Sequence, residues 1–112
     1  MLIYKVFQES EWADLVQNGE TEGAPVDLAD GYIHFSTAEQ LRETVAKHFA
    51  GSPTLVLVTI DADTLGEALK WEVSRGGKEF PHLYRKLKRS DAVAHALLPM
   101  GENGHVFPDD IP

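Results

Sequence analysis

The 112-residue chain has no cysteine, which excludes disulfides, thiolate catalysis and zinc-thiolate centres and makes a reducing compartment its expected home. It also has no long apolar run. The first one, Leu2 to Phe7, is interrupted by Lys5 and falls short of the roughly 7 to 15 residues of a signal-peptide core or the about 20 of a spanning helix. A cytoplasmic protein with no membrane attachment is therefore expected. Cations are scarce as well, 10 Lys and Arg against 18 Asp and Glu, for a net charge of -8. That balance argues against an extended nucleic-acid partner, because binding to a phosphate backbone is driven by Lys and Arg displacing counterions. Repeats, low-complexity tracts and linkers are absent. A hydrophobic content of 43% fits one domain, residues 1–112, with a single core.

The few cations are clustered. Residues 70–89 carry seven of them against only Glu72 and Glu79, a local charge of +5 that leaves -13 on the rest. A basic island on an acidic body suits a small anionic ligand or a nucleotide better than a polymer, although a solvated Lys/Arg turn has the same composition.

Periodicity outlines the elements. "LIYKVF" reads as a first strand, and Ser10 as the N-cap of a short helix that presents Trp12, Leu15 and Val16 and stops at Gly19. Glu20 to Asp30 has no clear period and reads as a long loop. After the strand Tyr32 to Phe35, Ser36 with Glu39 and Thr37 with Gln40 both have capping-box spacing for a helix whose Leu41, Val45 and Phe49 recur every four residues, with Gly51 as its stop. "TLVLVTI" at 54–60 is the pattern of a central strand. Leu69, Trp71 and Val73 alternate with polar residues as a half-buried strand, "RGGK" turns the chain, and "FPHLYRKL" forms the next strand with Phe80, His82 and Tyr84 on one face. Pro81 belongs at that strand's start or at a sheet edge. A last strand covers about 92–98, and a Gly- and Pro-bearing tail follows it.

The residues able to do chemistry are led by two histidines inside apolar β runs, His34 and His82. A lone histidine there is usually a hydrogen-bonded core residue, but these two share a neighbourhood of hydroxyls and cations. Neutral imidazole donates with one nitrogen and accepts with the other, which fits ribose hydroxyls or proton transfer near neutral pH. His34 also lies just upstream of a helix N-terminus, where free N–H groups favour an anion. The candidate catalytic set is His34, His82 and Glu72, with Glu72 an acid or base if it faces a cleft. The candidate ligand-binding set is Lys5, Ser36, Thr37, Arg75, Tyr84 and Arg85, with Tyr84 stacking and Arg75 or Arg85 holding phosphate; capping is the simpler role for Ser36 and Thr37. His34, His82 and His95 lack the close spacing of a metal site, so no metal is expected. No G-x-S-x-G elbow is present to support a serine hydrolase.

The order "IYKV", a short helix with Trp12, "GYIHFST", "LKWE" and "FPHLYRKL" closely resembles the small bacterial DUF952 family over nearly the whole chain. That family in turn is similar, at a distance, to the ADP-ribosyltransferase-like fold, a split β-sheet with helices and an NAD cleft between its halves. The resemblance implies that "LIYKV" matches the strand bearing a histidine in the poly-ADP-ribosylating enzymes, with Lys5 near that place. It implies that "YIHFST" matches the strand with their nicotinamide-stacking tyrosine, so that His34 replaces it; the RNA 2'-phosphotransferase branch has a similar "I-H-F" strand. "PHLYR" lies where their catalytic glutamate is expected, leaving His82 or Tyr84 instead. The expected fold is thus α+β, a single domain with a mixed split β-sheet and flanking short helices, ADP-ribosyltransferase-like. The expected function is a nucleotide-binding enzyme, an NAD-dependent transferase or glycohydrolase working on NAD or ADP-ribose. The alternative is a non-catalytic module that binds a small anion or a protein through the same His/Tyr cleft. The sequence does not set the oligomeric state.

Overall fold

The structure is a computed structural model that describes residues 1–111; the side chain of Arg75 also lies outside the described residues. Two three-stranded antiparallel sheets organise the chain. In the first, β1 (Leu2–Gln8) pairs with β4 (Leu55–Asp61), which pairs with β8 (Ala92–Leu98). β4 is the central strand, as its uninterrupted apolar run predicts. In the second, β3 (Ile33–His34) pairs with β6 (Glu79–Leu83), which pairs with β5 (Leu69–Val73). Tyr4 and Ser36 join the sheets by exchanging both backbone hydrogen bonds, at 2.8 and 2.9 Å. The expected α+β class with the strands divided among separate sheets is present, but among the described residues every strand pair is antiparallel, so the sheet is not the mixed one expected.

Alternation along β1 divides the interior. Ile3 and Phe7 point to one core with Leu15 of helix α1 (Glu9–Asn18), Ile33, Phe35, Val58 and Leu83. Tyr4 and Val6 point to the other, where Leu41 and Val45 of helix α3 (Ala38–His48) and Leu57 pack. Each fully buried Leu, Ile or Phe is worth about 1.5 to 3 kcal/mol, so the four-residue spacing of Leu41 and Val45 is what fastens α3 to the sheet. Thr37, not Ser36, is the α3 N-cap: the Gln40 N–H donates to Thr37 Oγ1 and the Thr37 N–H to Gln40 Oε1. The helix ends at His48, before Gly51, which turns the following loop at φ 79°.

Several expectations need correction. Helix α1 is capped by Gln8, whose N–H donates to Glu11 Oε1, so Ser10 lies inside its first turn. The expected loop of residues 20–30 holds β2 (Glu20–Thr21), helix α2 (Pro25–Asp30) and the turn between them. Six residues are too few to show a 3.6 period, and α2 is specified instead by Pro25 in its first turn and the Asp27 carboxylate on the Ala24 N–H. β2 pairs with β7 (Leu87–Lys88), which splits "FPHLYRKL" between two strands. Trp71 and Val73 are exposed, because β5 is an edge strand and only Leu69 of its apolar face reaches the core. Pro81 sits in a central strand, yet its carbonyl accepts from the Phe35 N–H, so its missing N–H faces the place where short β3 has already ended. The tail folds back as a hairpin, β9 (Met100–Gly101) with β10 (Gly104–His105), and ends on buried Ile111.

Candidate functional site

β3 and β6 place His34 directly opposite His82. Paired residues share a sheet face, and so do residues two apart, which puts Tyr32, His34, Phe80, His82, Tyr84 and Glu72 on the face turned away from the Ile33–Leu83 core. The shared face expected for Phe80, His82 and Tyr84 is observed. The imidazole centroids are 5.3 Å apart, and the Tyr32 ring covers both, stacked on His82 at 4.2 Å and tilted on His34 at 4.7 Å.

Each imidazole is fixed by a carboxylate on its Nδ1. His82 Nδ1 lies 2.8 Å from Glu72 Oε1, which also accepts from the Tyr84 hydroxyl at 2.6 Å. These contacts, the tyrosine first and the histidine second, hold the Glu72 carboxyl below the usual glutamate range. The same hydrogen bond pushes the Tyr84 hydroxyl up to about 12, so it remains a donor throughout the physiological range. An ionised carboxylate only accepts, so Nδ1 carries the proton and Nε2 is the nitrogen left for a ligand.

His34 Nδ1 lies 2.5 Å from Oδ1 of Asp27. Asp27 is 1% exposed and is the hub of the site. Besides His34 Nδ1 it accepts from the backbone N–H of His34 at 3.0 Å, from the Ala24 N–H at 2.8 Å and from Lys5 Nζ at 2.7 Å. Burial works to raise its carboxyl, but the hydrogen bonds from His34 and Lys5 outweigh burial and leave it below the usual aspartate range. Burial in turn lowers the Lys5 ammonium, with Asp27 opposing. The other nitrogen of His34, Nε2, lies 2.9 Å from Asp30 Oδ2 at the end of α2. Each ring nitrogen of His34 therefore faces a carboxylate.

These groups border a cavity of about 750 Å³, whose wall includes Lys5, Asp30, His34, Ser36 and His82 together with apolar Val6, Phe35, Phe49 and Phe80. That volume falls in the usual range for small-molecule sites. His34, His82 and Lys5 thus meet at one cavity, and Glu72 and Tyr84 support it from behind His82. Ser36 is buried in the wall and donates to Thr44 Oγ1, whereas Thr37 is spent on capping α3. Arg85 is placed elsewhere: its guanidinium holds both oxygens of Asp91, at 2.9 and 3.3 Å, and neighbouring Lys86 pairs with Glu20. The cationic phosphate grip expected from Arg85 is therefore not at the cavity, and Arg75, its expected counterpart, has its side chain outside the described residues. Among the described residues no cluster of three or more His, Asp and Glu has metal-binding geometry, and no helix is long and apolar enough to cross a membrane.

Asp27, Asp30 and Tyr32 contact the two imidazoles and are not among the candidate residues named from the sequence. The available signal was Asp27 two residues after Pro25, the spacing by which a carboxylate in a first helical turn reaches back to free N–H groups.

The DUF952 family model, a family described as of unknown function, matches residues 6–95. The crystal structure of protein CC0527 from Caulobacter crescentus is 50% identical, with 94% of this chain and 92% of that one covered at a TM-score of 0.90. The solution NMR structure of CC0527 gives 50% identity, coverage of 93% and 90%, and a TM-score of 0.84. Among curated proteins none matches. With a family model that spans most of the chain and a solved relative at half identity over nearly its full length, the chain belongs to the DUF952 family.

Proposed function

We propose that the cavity takes an NAD-type nucleotide and that the protein cleaves its N-glycosidic bond, as a glycohydrolase or a transferase. The observation that carries this reading is the pair of carboxylate-fixed imidazoles, side by side in the wall of a largely apolar cavity. The aromatic wall suits the flat nicotinamide ring, and the imidazoles and Ser36 suit ribose hydroxyls. Asp30 adds a carboxylate to the cavity wall, where it can face positive charge developing on the ribose, so it supplies from a neighbouring element what the strand "PHLYR" lacks.

In the reaction, water or an acceptor hydroxyl attacks C1' of the nicotinamide ribose. The C1'–N bond breaks, its electron pair leaves with nicotinamide as a neutral pyridine, and the proton of the attacking group passes to an imidazole Nε2. His82, whose Nε2 has no carboxylate beside it among the described residues, is the candidate base, and His34 orients the ligand. Arg85 and Lys5 are already engaged by Asp91 and Asp27, so the pyrophosphate lies toward solvent at the cavity mouth.

The test is NMR detection of free nicotinamide during incubation of NAD with wild-type protein, His82→Gln and Glu72→Gln. Release by the wild type that drops at least tenfold in both variants supports the reading. Binding of NAD without release would leave the non-catalytic module in its place. Release that is equal in all three proteins would remove His82 from the chemistry.

A further inference from the structure

We infer that β8 is a self-association edge, through which two copies of this chain pair antiparallel about Ala96 to make one six-stranded sheet. Among the described residues β8 pairs with β4 alone, so its other side is an open edge. Such edges are normally blunted by charge, by brevity or by a cover. The other edges here are protected in these ways: β5 carries Lys70 and Glu72, β3 is two residues long, and β1 is bridged to Ser36 and faces the cavity. β8 is seven residues, AVAHALL, with no charge and no proline; Val93 to Leu97 are all exposed, Leu97 at 66%.

The edge also has one self-complementary register. Tyr4 directs its N–H and C=O away from β4, so by antiparallel alternation Lys5 and Val58 bond each other, Leu57 and Thr59 bond to β8, and His95 and Leu97 present their N–H and C=O outward. The pairable stretch is bounded at one end by the bulge at Val93, where Thr59 faces Ala94 and Ile60 faces Ala92, and at the other by Pro99, which has no N–H. Ala94 to Leu98 remains, and its centre is Ala96. Two copies in that register exchange four hydrogen bonds between His95 and Leu97, with each His95 beside the partner's Leu97 on one face and alanines meeting on the other. The bulge and the proline forbid a one-residue slip, so the edge forms a closed pair and not a fibre. A contact of five residues a side is smaller than a standard interface of roughly 1,600 Å², and the dimer is accordingly reversible.

The chain has no cysteine, so Ala96→Cys places a lone thiol on the two-fold axis. Facing Cα atoms of a non-hydrogen-bonded pair lie about 4.5 Å apart, within disulfide range. Under mild oxidation of the folded protein, Ala96→Cys is expected to form covalent dimer at least tenfold faster than the exposed helix control Ala46→Cys and faster than His95→Cys. Sedimentation equilibrium of the untagged wild type is expected to approach twice the 12.4 kDa chain mass as concentration rises. Leu97→Pro, which removes an outward donor, and Leu97→Lys are both expected to stay at monomer mass. A wild type that remains monomeric at millimolar concentration, or an Ala96→Cys rate no greater than the Ala46→Cys rate, overturns the inference; faster cross-linking of His95→Cys overturns the register.

Discussion

At the residue scale the structure turns on Asp27. Its four donors come from β1, the turn before α2 and β3, so one carboxylate fixes the position of elements distant in sequence as well as the His34 ring. A buried ion pair contributes little compared with an apolar replacement of the same shape, but breaking one strands the remaining charge. Asp27→Asn leaves Lys5 buried without a counter-charge and is expected to cost about 3 to 5 kcal/mol in urea unfolding. Native Asp27 binds its proton less tightly than an aspartate of the unfolded chain. Its contribution is therefore complete above the ordinary aspartate range, near ~4, and is lost as pH falls through the depressed native value. Wild-type stability should decline on acidification through that window, and the decline should be shallower in Asp27→Asn. Parallel acid slopes for the two proteins would show that Asp27 does not carry this charge.

At the element scale, the elements legible in the sequence were those whose packing repeats. β4 announced itself by an unbroken apolar run, α3 by Leu41 and Val45 behind a capping box, and β8 by its limits. The strand β2 and the helix α2 were not legible, because two and six residues carry no period and their stability comes from long-range partners: β7 for the first, Lys5 and His34 for the second. The same physics governed the site. His34 and His82 could be named from their apolar surroundings, but the carboxylates that orient them come from other elements, and only the fold brings Asp27 beside Lys5 across 22 residues. Gly23 is the local price of that arrangement. It has a positive φ of 106°, and a Cβ built there would overlap the Asp27 carboxylate and lie 2.6 Å from its Cβ. Gly23→Ala must therefore displace Asp27 or distort the turn. A melting temperature several degrees below wild type is expected, whereas Gly19→Ala, whose Cβ would meet nothing within 4 Å, suffers only its backbone strain and should fall less. Equal losses in the two variants would mean that the Gly23 turn does not support Asp27.

At the scale of the whole molecule, charge is arranged differently from the sequence's suggestion. Two cations of the basic island, Arg85 and Lys86, are drawn into pairs with Asp91 and Glu20 at the β2–β7 side, and the cavity is lined by Glu11 and Asp30 with Lys5 as its buried cation, while Asp27 and Glu72 hold its two histidines from behind. An acidic rim fits a ligand whose reacting half is cationic, such as a nicotinamide riboside, better than a simple anion. Two salt effects follow from this layout. Added salt should raise the melting temperature modestly by screening the -8 body, and it should change nucleotide affinity by less than about threefold, because among the described residues Lys5, already paired with Asp27, is the one Lys or Arg that lines the cavity. A steep loss of affinity with salt would instead locate the phosphates on the basic island. The central claim, that His34 and His82 form the ligand-facing pair, is tested most directly by the long-range ¹H–¹⁵N spectrum of the imidazole nitrogens during titration with ADP-ribose at neutral pH. The Nε2 signals of His34 and His82 are expected to move together and saturably while those of His95 and His105 stay fixed. No movement of the His34 and His82 signals at millimolar ligand, or movement confined to His95 and His105, would contradict it.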